Sequence, residues 1–157
     1  MRVIFTGSRD WADPWMVDNV LKGLMARFGR FTVVHGDGRG LDHIVDSLAR
    51  RYDLPIEPYT ADWDRFGKRA GPLRNVLMVQ SGADLCVAFK PDLNPTRSGG
   101  TEHTVTLCCD AGIEVMAFPE AATVKRTGKR WFSVRPEASL IELRDGSRAP
   151  AAPARTD

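Results

Sequence analysis

At 157 residues the chain has the size of one domain, and 43% hydrophobic with 27% charged residues excludes wholesale disorder and fibrous repeats. Basic and acidic side chains nearly balance, 22 against 20, leaving a net charge of +2. That is too little to draw the whole molecule onto nucleic acid or a membrane surface, so any anion site must be local. No run approaches the roughly 18 apolar residues of a membrane span, and the opening Arg2-Val3-Ile4-Phe5-Thr6 reads as a strand, not a signal peptide, so the expected location is the cytoplasm.

Five short strands are expected: Val3 to Thr6, Thr32 to His35, Pro55 to Tyr59, Leu85 to Phe89 and Glu114 to Phe118. Each is rich in β-branched or aromatic residues, and their continuous apolarity points to burial on both faces of a parallel sheet. Helical patterns separate them. Asp13 and Pro14 open the first as N-cap and N1, and Val17, Val20, Leu21, Leu24 and Phe28 mark its apolar stripe up to Gly29. Asp42 is the expected cap of the second, with Ile44, Val45, Leu48 and Tyr52 as its stripe. The third follows Gly71-Pro72 and presents Leu73, Val76, Leu77 and Gln80 before Gly82; the fourth runs from Thr101 to Ala111. The alternation predicts an α/β fold of three layers, α/β/α, with a five-stranded parallel sheet over residues 1–118.

Beyond Pro119 the pattern changes. Trp131 to Val134 and Leu140 to Leu143 read as strands of a small C-terminal β extension over 119–145, and the Pro-, Ala- and Arg-rich 146–157 as a flexible tail. Cys86, Cys108 and Cys109 lie in apolar segments without metal-ligand spacing and read as small buried hydrophobes, with no metal expected.

In such a sheet ligands bind beyond the carboxyl ends of the strands, so the loops there decide the chemistry. After the first strand, Gly7 permits close backbone approach, Ser8 offers a hydroxyl and Arg9 a forked cation. After the second, His35-Gly36-Asp37-Gly38-Arg39-Gly40-Leu41-Asp42 places three glycines ahead of a helix, the pattern of an amide-lined anion cradle. His35 is either a general base or an orienting group. After the third, Trp63 and Phe66 can stack on a base, Lys68 and Arg74 can meet phosphate, Asn75 can bond a sugar or ring edge, and Gly71 opens the helix. After the fourth, Gly99, Gly100 and Thr101 form a second glycine-led cradle, with Glu102 in the first helical turn.

The ordered set Thr6-Gly7-Ser8-Arg9, His35-Gly36 with Gly40 and Asp42, Ala70-Gly71-Pro72 with Arg74-Asn75, and Gly99-Gly100-Thr101 resembles the SLOG superfamily of Rossmann-like nucleotide-ligand binders, in its small YspA-like, YpsA-related branch. The resemblance covers about residues 1–118. It implies a Rossmann-like five-stranded parallel sheet, a ligand related to a nucleotide, NAD or ADP-ribose, a phage or mobile-element source, and a homodimer or higher homo-oligomer. The related LOG-type phosphoribohydrolases are similar in having an arginine on the helix before the fourth strand, here Arg74. Their Gly-Gly-x-Gly-Thr-x-x-Glu loop is shortened here to Gly99-Gly100-Thr101, with Glu102 following at once.

Three functions compete. The first is a sensor or sequestering protein that binds a nucleoside phosphate or an NAD- or ADP-ribose-like compound without a separate cofactor. The second is an N-glycoside-cleaving hydrolase in which Arg74 stabilises negative charge and Glu102 or Asp42 positions water. The third, single-stranded DNA binding of the DprA kind, needs a basic groove that a nearly neutral chain hardly offers, so a nucleic-acid partner is not expected.

Overall fold

The structure, a computed structural model, describes residues 1–93, 99–118, 122–127 and 130–134. Strands β1 (Arg2–Gly7), β2 (Thr32–His35), β3 (Ile56–Pro58), β4 (Leu85–Phe89) and β5 (Glu114–Phe118) pair in parallel, followed by β6 (Ala122–Thr127) and β7 (Arg130–Val134). The order is β3-β2-β1-β4-β5-β6-β7 in one sheet. The chain therefore winds outward from β1 in one direction and then crosses to β4 on its other side. Loops after β1 and β4 diverge at that reversal, which opens a crevice at the strand ends.

The pleat sorts the core into two layers. Val3 and Phe5 face α1 (Pro14–Phe28) and α2 (Leu41–Arg51), whose Val17, Leu21, Leu24, Leu41 and Val45 complete that side. Ile4, Cys86 and Ala88 face α4 (Ala70–Gln80) and α5 (Gly100–Asp110), which contribute Met78, Val79, Val105 and Cys108. Cys86 and Cys108 are thus fully buried packing groups. The three-layer arrangement follows from strands apolar on both faces.

Local chemistry explains the element ends. Asp13 caps α1 by accepting from Met16 N at 3.2 Å, Pro14 takes the first helical position, and Gly29 stops the helix with φ of 74°. The cap of α2 is Gly40, not Asp42, which lies one residue inside the helix and accepts from Gly38 N instead. At α5 the cap position is Gly99, with no side-chain bond, and Thr101 is buried in the first turn. The third expected helix begins earlier, at Ala70, preceded by a one-turn helix α3 (Trp63–Phe66) and a 3-10 turn over Gly67–Arg69.

Its buried face also differs from the expected stripe. Ala70, Gly71, Asn75, Met78 and Val79 are inside, whereas Leu77 is 61% exposed. Phe28 likewise ends α1 half out of the core.

At the far edge β6 and β7 form an antiparallel hairpin, β6 joining β5 through Val115 opposite Val124. Trp131 to Val134 is a strand as expected, but its partner is Ala122–Thr127, close in sequence and joined through a two-residue gap between Thr127 and Arg130. The strand expected at Leu140 to Leu143 and the tail expected at 146–157 lie outside the described residues. No helix among the described residues is long and apolar enough to cross a membrane.

Candidate functional site

The crevice at the β1/β4 reversal is a cleft of about 700 Å³, within the ordinary range for small-molecule sites. Phe5, Thr6, Ala61 and Met78 line it together with mainly polar and charged residues. Four loops converge on it: Gly7, Ser8 and Arg9 after β1; Gly36, Gly38 and Asp42 after β2; Trp63, Arg74 and Asn75 after β3; Gly100 and Thr101 after β4. A second cleft of about 680 Å³ shares Arg9, Trp63, Arg74, Asn75 and Gly100 with the first and is lined further by Lys68, Gly71 and Gly99. His35 and Gly40 line neither.

His35 is 1% exposed, and both ring nitrogens are engaged. Asp37 N donates to Nδ1 at 3.0 Å, so the ring proton sits on Nε2, facing the Asp46 carboxylate at 3.1 Å. The residue orients the β2 loop, holding Asp37 in a left-handed conformation with φ of 54°; no nitrogen is left to act as a base. Gly40 joins two loops. A Cβ there would lie 2.3 Å from Arg9 O and 2.7 Å from Ser8 O, and Leu41 N donates to Ser8 O at 3.2 Å. Ser8 itself braces its turn, its Oγ accepting from Asp10 N at 3.1 Å.

Arg74 stands at the centre. Its Nη1 donates to Tyr59 O at 3.0 Å and its Nε to Asn75 Oδ1 at 2.9 Å, while Gly36 leaves room for the guanidinium: a Cβ at 36 would approach Nη1 to 2.5 Å. Burial lowers its pKa from the ordinary arginine value, Asp42 opposing that and Arg9 adding to it, yet guanidinium stays charged. Asn75 ties the helices together, its Nδ2 lying 3.4 Å from Gly100 O and 3.3 Å from His103 Nδ1. Arg9 extends across Trp63, its guanidinium carbon 5.9 Å from the ring centroid, a cation over an aromatic face.

The two glycine-led loops line the same cleft, and each leads into a helix with a glycine N-cap, no side-chain cap bond and one acid in its first turn. At the start of α2 three amides are engaged within the chain: Asp37 N by His35, Gly38 N by Asp42 Oδ2 at 2.9 Å, Leu41 N by Ser8 O. Asp42 already supplies the negative charge that the helix start favours. Burial nevertheless pushes the Asp42 carboxyl up, against the Gly38 bond and the pull of His35 and Arg74.

At the start of α5 no side chain caps the helix, and Lys90, at the end of β4, reaches the cleft beside Gly100 and Thr101. Sequence reasoning missed Lys90. It is held by an ion pair with Glu102, a carboxylate only 2% exposed whose Oε2 is buried without a hydrogen bond. Glu102, expected as an acid that positions water, is paired with this lysine in the folded chain. The sequence signal was the lysine directly after a buried strand, paired to the first acid of the next helix. No metal-holding group of three or more His, Cys, Asp or Glu occurs among the described residues.

A parallel sheet reversing at β1 and β4, with a polar cleft over the reversal, defines a Rossmann-like α/β protein. The chain belongs to the YspA, cpYpsA-related SLOG family, whose sequence profile matches residues 1–66. It is also 41% identical over 124 residues to the Gene 61 protein of Mycobacterium phage D29, an alignment covering 74% of this chain and 95% of that protein.

Proposed function

We propose that this protein binds a nucleotide or a nucleotide-derived phosphate compound, of the nucleoside phosphate or NAD/ADP-ribose kind, in the cleft at the β1/β4 reversal, as a sensor or sequestering protein. The observation that carries this reading is the meeting of three cations, Arg9, Arg74 and Lys90, with the uncapped start of α5 around one polar cleft. Membership of a superfamily of nucleotide-ligand binders supports it. Trp63, half exposed and lining both clefts, supplies an aromatic ring on which a base can stack.

A thermal-shift panel of nucleoside mono- and diphosphates, NAD and ADP-ribose tests the reading. At a ligand concentration a hundredfold above Kd, about 2.7 kcal/mol of stabilisation is expected. Arg74→Ala abolishes that shift while the variant still unfolds cooperatively; a panel without any shift for the wild type overturns the proposal. Chromatography of the same mixtures reports N-glycoside cleavage directly, since released free base identifies a hydrolase.

A further inference from the structure

We infer that one ligand spans both clefts, its anionic linkage held between Arg9 and Arg74 and an uncharged arm on either side. A nucleoside diphosphate substituted on its outer phosphate is therefore bound in preference to the nucleoside diphosphate itself. This rests on the nucleotide reading above and adds where along the ligand its charge lies.

Arg9, Trp63, Arg74, Asn75 and Gly100 line both clefts, so the two spaces meet along these residues. Neither Arg9 nor Arg74 pairs with a carboxylate among the described residues. Arg9 is also near enough to disfavour the charge on Arg74. The bonds of Arg74 to Tyr59 O and Asn75 Oδ1 use two of the five N–H donors of a guanidinium. Two neighbouring guanidinium groups without a counter-charge are relieved by an anion between them, and each presents a fork of donors to phosphate oxygens. A ligand charged at its end would occupy one of the two spaces. One charged in its middle occupies both.

The second cleft carries the groups that a sugar or polar ring requires. Trp63 is half exposed and lies against the start of α4, where a Cβ at Gly71 would come to 3.2 Å from its ring. Because Asn75 Oδ1 accepts from Arg74, its Nδ2 donates to His103 Nδ1, at 3.3 Å, and the imidazole proton sits on Nε2. Burial lowers the His103 pKa, so this donor is neutral at pH 7. His103 and the hydroxyl-bearing Thr106 line the second cleft and not the first. At about 700 Å³ and about 680 Å³, each space has the size of a small-molecule site.

Isothermal titration of the full chain with ADP and ADP-ribose, UDP and UDP-glucose, and GDP and GDP-mannose tests this. Each pair differs by a sugar on the outer phosphate. The shorter member carries the greater negative charge, so attraction to the arginines alone would favour it. A filled second cleft predicts the reverse: the substituted member of whichever pair binds is tighter by about tenfold or more. In Thr106→Trp, which narrows the second cleft alone, that ratio falls several-fold toward one while the variant still unfolds cooperatively. Binding of the unsubstituted member as tight as or tighter than its partner in the wild type overturns the inference and leaves nucleotide binding standing, as does an unchanged ratio in folded Thr106→Trp. Absence of binding by every compound overturns the nucleotide reading and the inference with it.

Discussion

Substituting Gly40 tests whether the β1 and β2 loops are locked together as the site requires. Gly40 has φ of 71° and ψ of −118°, a region that L side chains avoid. Gly29 lies close by in conformational space, at 74° and −148°, but a Cβ there meets nothing within 4 Å, whereas one at Gly40 lies 2.3 Å from Arg9 O and 2.5 Å from Arg9 C. Alanine at either position therefore bears the backbone strain, about 1–3 kcal/mol. Only at Gly40 must main chain also move, adding about 1–3 kcal/mol of overpacking. The expected loss is about 2–6 kcal/mol for Gly40→Ala, a fall in Tm of about 5–20 °C for a chain of this size. Gly29→Ala should lose only the first part. Thermal and urea unfolding of the two variants, followed by circular dichroism, isolate the contact as their difference. Equal losses would show that the loops yield freely and that the β1 loop is not held by α2.

Lys90→Ala should cost about 3–5 kcal/mol in urea unfolding, because it leaves Glu102 buried without its cation; adding Glu102→Gln should restore part of that loss. A Lys90→Ala protein as stable as the wild type would mean that the pair does not hold the α5 end. For Asp46 burial opposes the charge, but hydrogen bonds from Arg50 and His35 prevail and lower its pKa. A carboxyl lowered on folding contributes stability above its unfolded value of about 3.9 and loses it as pH falls through the folded value. The stability gap between wild type and Asp46→Asn should thus be full at pH 7 and close on acidification below about pH 4, as read from urea midpoints across pH; a constant gap would refute the coupling.

The inner parallel strands β1, β2, β4 and β5 were legible because most of their residues are buried and so written as nearly continuous apolar runs, whereas the edge strand β3, Ile56-Glu57-Pro58, is only partly buried. The helix before β4 was legible in existence but not in orientation. Its Leu77 keeps the helical period yet faces outward, while Asn75 and Gly71 turn inward, because one side of α4 builds the cleft and must supply polar and small groups. Periodicity reports apolar packing and is blind to a face selected for a ligand. The hairpin strand Ala122–Thr127 carries a weaker signal, because Lys125 and Arg126 break its apolar run.

The same limit governs the site. Counting glycines after β2 finds a loop that approaches closely, but not which of its amides are free; that depends on Asp42 folding back four residues to Gly38, and on His35 turning Nδ1 toward Asp37. Gly99-Gly100-Thr101 looks sparser on paper, yet Lys90 stands beside it, held by Glu102 in the first turn of the helix that follows. Sheet order brings the two glycine-led loops to one cleft, since β2 and β4 both flank β1, so residues more than sixty apart in sequence share a single strand end.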